Sequence, residues 1–237
     1  MTYKTSKARG QLQAVYKDIK KRIKSAENKK VDVQLREYVI AAAVFLAFAE
    51  IENYVGDVFS SFSNCIRANV TKGSKLPGNV RPHLFLQKSN APAIFGNFIT
   101  SNSEKDLFRS FSSALSSHAG SYIDDAVEIK AFSGKDLYTT IKYPSEKNLE
   151  KLFFRIGVDK IFMVLSKILR EDAKALLESI SSLRTQLAHT GTLPGISAKD
   201  VKARLASAER FVGAMDRVMY QVTTSHYKAA EWNAHLC

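Results

Sequence analysis

Between Asp32 and Val70 the chain carries one unbroken helical pattern, too long and too apolar to stand in water by itself. Val44, Phe48, Ile51, Val55, Val58 and Phe62 recur in alternating steps of four and three, the spacing of one helix face. Phe45, Tyr54, Phe59 and Ile66 widen that stripe, which predicts a central helix packed on more than one side. Whatever else the chain does, it must supply other helices to cover this one.

The rest of the sequence supplies them. Leu12, Val15, Ile19 and Ile23 fall three or four apart in a first helix whose other faces are lysine-rich. Lys72 to Pro82 reads as a loop by its Gly and Pro content, and His83 to Phe98 as short helical pieces. Ser103 is placed to cap a helix from Glu104 to His118 with Leu107, Phe111 and Leu115 on one face. Ala126 to Tyr143, with Val127, Ile129, Phe132 and Ile141, is the least helical stretch and fits either a small hairpin or an irregular excursion. A helix follows from Ser145 to about Gly157. The next is expected to begin near Asp159 and run through Leu165, Leu169, Ala173, Leu176, Ile180, Leu183 and Leu187, with Thr190-Gly191 and Pro194 as its stop. Ser197-Ala198-Lys199-Asp200 resembles a capping box and opens a last helix to about Ser225 through Val201, Leu205, Ala208, Val212, Met215 and Met219. The expectation is one all-α domain over residues 32–237, preceded by a basic N-terminal helix (1–31) and interrupted by an irregular insertion within 72–144.

Cys65 and Cys237 are far apart and no Cys-x-x-Cys pair occurs, which argues against a disulfide framework or structural zinc and for a reducing, cytoplasmic setting. The opening residues lack the apolar core of a signal peptide, and the run from Tyr38 to Ala49 is shorter than the ~20 residues a bilayer requires. No membrane partner is expected. Asp124, Asp125 and Glu128 fit either a hard-cation site or the acidic first turn of a helix capped by Ser121. His83, His118, His226 and His235 have no partner at metal-ligand spacing, and no His-Glu-x-x-His occurs. Ser133-Gly134-Lys135-Asp136 lacks the upstream Gly of a phosphate loop, so nucleotide hydrolysis has no support. No metal and no cofactor is expected.

Charge is concentrated rather than spread. The chain is +12 overall, and residues 1–30 hold ten Lys and Arg against Asp18 and Glu27, a local balance of +8. Lys17, Lys20, Lys21, Arg22 and Lys24 are candidates for holding an RNA backbone, since a basic surface gains polyanions by counterion release. The other reading is a solvated helix face that keeps the protein in solution.

The stretch with the most chemical content is Ser182-Leu183-Arg184-Thr185-Gln186-Leu187-Ala188-His189-Thr190-Gly191. Arg184 and His189 are suited to RNA cleavage, but such a spacing is expected about once by chance in a chain of this composition. Five residues turn an ideal helix by about 500°, leaving the two side chains about 140° apart. Only the length of Arg and the loosening of a last helical turn bring them toward one another. An Arg beside an apolar stripe otherwise snorkels, and a His near a helix C-terminus otherwise answers the dipole.

The surroundings of the pair resemble a family. Leu183 to Gly191 is similar to the Arg-x4-6-His motif of the HEPN superfamily, often written Arg-Asn-x-x-Ala-His-Gly at a helix end. Three further segments resemble its RiboL-PSP and MAE-type branches in the same order: Ala47 to Val55, Asn148 to Gly157, and Pro194 to Val201. The resemblance spans about residues 33–225. It implies a helical-bundle domain of HEPN type that forms a homodimer with two Arg/His pairs facing a shared cleft, the apolar stripe beside Arg184 lying at that seam. It also implies a metal-independent endoribonuclease, with Arg184 and His189 as catalytic residues and Thr185 and Glu52 in support. Relatives often serve in toxin–antitoxin or antiviral systems, which would add an antitoxin or defence-system partner protein.

Elementary chemistry agrees with those residue types. RNA carries its own nucleophile, the 2′-OH, so a cleaving protein needs proton transfer, which His supplies, and stabilisation of phosphorane charge, which Arg supplies through its planar fork. The products would be a 2′,3′-cyclic phosphate and a 5′-OH. Two departures stand out. Thr185 occupies the position where relatives often carry Asn, and Thr190 separates His189 from Gly191. Where relatives paired with nucleotidyltransferases carry Tyr two residues after the His, this chain has Gly191. The alternative function is a non-catalytic helical module that binds RNA or a partner protein.

Overall fold

The computed structural model describes residues 2–138, 143–191 and 195–237. Among them the regular structure is helical and no strand occurs: α1 (Lys7–Ala26), α2 (Val33–Asn69), α3 (Val80–Lys88), α4 (Ala91–Ser101), α5 (Glu104–Ser116), α6 (Gly134–Tyr138), α7 (Glu146–Arg155), α8 (Ile161–Leu169), α9 (Ala173–Thr190), α10 (Ala198–His226) and α11 (Ala229–His235). Two 3-10 turns, Gly73–Lys75 and His118–Tyr122, punctuate the middle of the chain. The hairpin alternative for 126–143 does not occur among the described residues of that stretch, and Ile141 lies outside them.

The axis of the molecule is α2, about 55 Å long at 1.5 Å per residue. Asp32 caps it by accepting from the backbone N–H groups of Gln34 and Leu35. Its stripe from Val44 to Phe62 is buried, and α1, α6, α9, α10 and α11 all pack against it. By length and composition α2 also suffices to cross a bilayer, but close to half of that stretch is buried against these partners, as in a core helix. Phe45, expected in the stripe, is 43% exposed because its position is one residue off the packed face.

α1 shares this core. Leu12, Tyr16, Ile19 and Ile23 are buried against α2, and the Tyr16 hydroxyl donates to the Ala47 carbonyl at 2.8 Å. α10 runs beside both, opened by the expected capping box: Ser197 Oγ accepts from Asp200 N–H, and Asp200 accepts from Ser197 N–H. α11 follows α10, where the sequence pattern ends the last helix near Ser225. Its Trp232 is buried and donates to the Lys4 carbonyl, tying the two chain ends together.

A single helix from Asp159 to Gly191 is not what forms. Arg170 adopts a left-handed conformation that closes α8, and Asp172 restarts the chain by accepting from Lys174 and Ala175 N–H. Asp is a strong N-cap, and it outweighs the continuing apolar period. α5 also departs from expectation: Leu107 and Phe111 are half-buried, Leu115 is exposed, and only Ala114 is buried. The loop leading into α3 meets the turn after α7 where Gly78 and Gly157, both at positive φ, come together, so that a Cβ on Gly78 would lie 2.6 Å from the Gly157 Cα.

Candidate functional site

The site begins with the end of α9. Leu177, Ile180, Leu183 and Leu187 are buried, and α9 packs against α2, α8 and α10, so this stripe is consumed inside the chain rather than offered as a dimer seam. Gly191 adopts φ +70° and donates its N–H to the Leu187 carbonyl at 2.9 Å, a left-handed cap that only Gly takes without strain. His189 is therefore fixed in the last full turn, exposed, one residue before the end of the helix. Pro194, the further stop expected from the sequence, lies outside the described residues.

Arg184 sits beside the buried Leu183 and is half-buried itself. Its guanidinium lies over the Phe48 ring, 5.7 Å from the centroid, so the cation is held by a ring face and not by a carboxylate. Among the described residues no hydrogen bond or ion pair joins it, which leaves its N–H fork available for a phosphate. Glu52 lies one turn beyond Phe48 on α2. Burial pushes its carboxyl above the ordinary value, while the positive charge of Arg184 pulls the other way. The sequence singled out Glu52 and Arg184, and they are brought together. The apolar period alone places Phe48 in the core; its i, i+4 relation to Glu52 is the signal that both border the same surface.

Thr185 is exposed. It stands four residues before His189, so the two lie within about 40° on one face, while Arg184 is about 100° to the side of Thr185. The α9 surface thus presents Arg184, Thr185 and His189 in that angular order, with Thr185 between. Beside Glu52 a cavity of about 290 Å³ opens, lined by Asn53, Asp57, Tyr138, Tyr143 and Leu152. Glu50, weighed alongside Glu52, accepts from the Asn53 side-chain amide at 3.2 Å and does not reach Arg184.

The basic helix α1 divides. Lys20 pairs with Glu209 at 2.9 Å and Arg22 with Asp18 at 2.6 Å, so two of the five candidates are answered within the chain. Lys17, Lys21 and Lys24 are exposed. Asp124 and Asp125 do not open a helix. Asp125 accepts from Ser74 N–H at 2.8 Å and lies 3.6 Å from Arg81, and these partners hold its carboxyl below the usual range, while Asp124 accepts from Ala126 N–H. The Ser121 hydroxyl is committed to the His118 carbonyl and Lys130 N–H. Among the described residues no three His, Cys, Asp or Glu side chains converge as metal ligands would. Asp136 pairs with Lys88 and accepts from Ser133, and Gly134 abuts the Ser60 backbone, so that turn is a packing element.

Compared with known families, the chain matches the sequence model described as RiboL-PSP-HEPN over residues 11–221, from within α1 to near the end of α10. No curated protein matches the chain, and no solved structure does.

Proposed function

The chain belongs to the RiboL-PSP family of HEPN domains, and on that premise we propose that it is a metal-independent endoribonuclease working as a homodimer. The observation that carries the reading is the Arg184 guanidinium, laid over Phe48 beside Glu52 with no hydrogen bond or ion pair to its fork among the described residues, on the same helix as an exposed His189 five residues on. RNA brings its own nucleophile. The 2′-oxygen forms a bond to phosphorus, the P–O5′ bond breaks, and the proton lost by the 2′-OH is matched by one gained at the 5′-oxygen. His189 is the group that moves a proton in this scheme, and Arg184 stabilises charge on the phosphorane. The products carry a 2′,3′-cyclic phosphate and a 5′-OH. A homodimer supplies two such pairs, and Lys17, Lys21 and Lys24 extend the positive surface along the RNA. A role as a toxin or in antiviral defence, inside the cytoplasm, follows from what such domains often do.

The test is cleavage of single-stranded RNA in EDTA by the wild type, Arg184→Ala and His189→Ala. Losses of about 10²–10⁴-fold in the His variant are expected. Full activity in both variants would remove this site from consideration. A second reading, RNA or protein binding without cleavage, is favoured by the roughly 140° between Arg184 and His189 around α9. It predicts binding that weakens steeply with salt and no cleavage at all.

A further inference from the structure

The cavity of about 290 Å³ that opens beside Glu52 has walls of an unusual mix. α2 supplies the carboxylates of Glu52 and Asp57, with Asn53 and Gly56 between them in sequence. Tyr138, the last residue of α6, and Tyr143, ahead of α7, supply two aromatic rings. Tyr143 is held through its carbonyl, which accepts from Ser145 N–H at 2.9 Å and from the Asn148 side-chain amide at 2.8 Å. Among the described residues no Lys, Arg or His lines the cavity, although the chain is +12 overall.

Packing and folding do not account for two of these residues. Gly56 stands in the interior of α2, where glycine costs about 1 kcal/mol relative to alanine, yet a Cβ there would meet no atom within 4 Å. No neighbour requires the glycine, and its missing side chain leaves bare helix at the cavity. Asp57 is exposed, and among the described residues no hydrogen bond or ion pair joins it. The Asn53 amide donates to Glu50 at 3.2 Å, which leaves its carbonyl oxygen as a further acceptor. The α2 side of the cavity is therefore rich in acceptors, and the tyrosine hydroxyls are its donors.

We infer that this cavity receives one guanine base of a single-stranded RNA whose phosphate lies at Arg184, with Asp57 reading the donor edge of the base. The inference rests on RNA being the ligand of the Arg184 edge. Guanine alone among the four bases places two donors, N1–H and N2–H, side by side, matching the two oxygens of one carboxylate. Adenine and cytosine set an amino group beside a ring nitrogen that accepts, and uracil sets one N–H between two carbonyls. Each of those brings a lone pair against the acidic wall. Unpaired bases of single strands stack on aromatic side chains, which Tyr138 and Tyr143 provide. The volume is at the small end of ligand pockets, room for one ring system rather than a nucleotide with its phosphates. A cationic side chain of a partner protein would suit the carboxylates but would meet Arg184, beside Glu52, as a like charge. A nucleotide has no such conflict, because its phosphate answers Arg184 and its base answers Asp57.

The experiment uses four labelled RNA hexamers, all uridine except for a single guanine, adenine, cytosine or no replacement at the centre. Their 2′-O-methyl forms, which lack the nucleophile, are titrated against the full chain in EDTA by fluorescence anisotropy. The guanine hexamer is expected to bind about tenfold more tightly than the other three. Asp57→Asn and Gly56→Leu should each bring it to the level of the others. Leu is the better helix former, so the melting temperature of Gly56→Leu should hold or rise while the preference is lost. Arg184→Ala should weaken all four hexamers alike and keep the tenfold ratio. Equal binding of the four by the wild type, or binding of none, overturns the inference, as does an undiminished ratio in Asp57→Asn or in Gly56→Leu. An oligoarginine peptide that binds saturably and loses its affinity in Asp57→Asn also overturns it, by making the cavity a seat for a cationic partner. Unmodified hexamers judge the nuclease separately. A guanine preference in binding without any cutting sustains the base pocket and removes the nuclease, whereas cutting of all four with equal binding removes the base pocket alone.

Discussion

Asp216 and Arg184 are both charged side chains that reach α2, and they are treated in opposite ways. Asp216 is 0% exposed and accepts from Tyr3 Oη and Ser6 Oγ at 2.5 Å, from Ser6 N–H at 3.1 Å and from Tyr54 Oη at 3.2 Å. Arg9 donates to Tyr3 Oη at 2.7 Å, so the N-terminal segment, α1, α2 and α10 are joined at one carboxylate. Burial, with Asp216 beside it, pushes the Tyr3 hydroxyl up to about 12. Arg184 of α9 meets α2 at Phe48, six residues before Tyr54 and about 120° around the α2 axis, and among the described residues it faces the Phe48 ring and the field of Glu52. Hydrogen-bonding capacity satisfied in the interior holds the fold together. Capacity left over at a half-buried edge is what a ligand can use.

The comparison breaks if the two sites respond alike to mutation. Asp216→Ala strands the donors of Tyr3, Ser6 and Tyr54 in the interior and should cost about 3–5 kcal/mol of stability in chemical denaturation, the price of uncoupling a buried charge network. Arg184→Ala should cost about 1 kcal/mol or less, the worth of a partly exposed cation–π contact, while lowering RNA cleavage by about 10²–10³-fold. Stability losses of equal size would make Arg184 a structural clamp and leave the catalytic assignment without its physical basis.

The helical period made the core legible, and it made the surface less so. All six positions of the Val44–Phe62 stripe are buried, and the caps at Ser103 and Ser197 form where their side chains suggest. Such features are local, fixed by a few neighbouring residues. What the pattern hid was decided by tertiary competition. One exception is local: the left-handed Arg170 closes α8 and the Asp172 cap opens α9 within an unbroken apolar period. Phe48 was indistinguishable from any stripe residue until α9 placed Arg184 over it. The stripe on α9 looked available to a partner because a sequence cannot say which of two apolar faces its own chain will cover.

Two smaller effects sharpen the contrast. Phe48→Leu keeps the site apolar but removes the ring face, so it should lower stability by about 1 kcal/mol and weaken cleavage by raising KM more than it lowers kcat, because Arg184 loses its platform and not its charge. The pH dependence of folding belongs to the interior. Burial holds the His83 imidazole below its ordinary 6.5, outweighing its bond to the Asp136 carbonyl. The unfolded chain then binds the extra proton, so this contribution is fully present above 6.5 and is lost as pH falls below it. Glu52 acts with the opposite sign: burial raises its carboxyl above the ordinary value, so its contribution is present at low pH and is lost as pH rises through its folded value. Thermal melts from pH 7.5 to 5 should therefore decline on the acid side, and His83→Gln should flatten that decline.

The smallest effect bears most directly on whether the α9 edge is a cleavage site. Thr185 stands between Arg184 and His189 in angle, exposed, with one hydroxyl to offer. Thr185→Asn leaves the helix nearly as stable, since the two residues have similar propensities in a helix interior, so thermal stability should not move. Asn adds an amide that donates two protons and accepts at its carbonyl. If the scissile phosphate lies across Arg184 and His189, it passes over position 185, and the added donors should raise cleavage by a few-fold, at about 1 kcal/mol per neutral hydrogen bond. Cleavage assays of Thr185→Asn beside Thr185→Val read this out, with Val removing the hydroxyl and leaving the shape. An ordering of Asn above Thr above Val places the phosphate over this face. Three equal rates place it elsewhere, and Arg184 and His189 would then have to meet the RNA from different sides of α9.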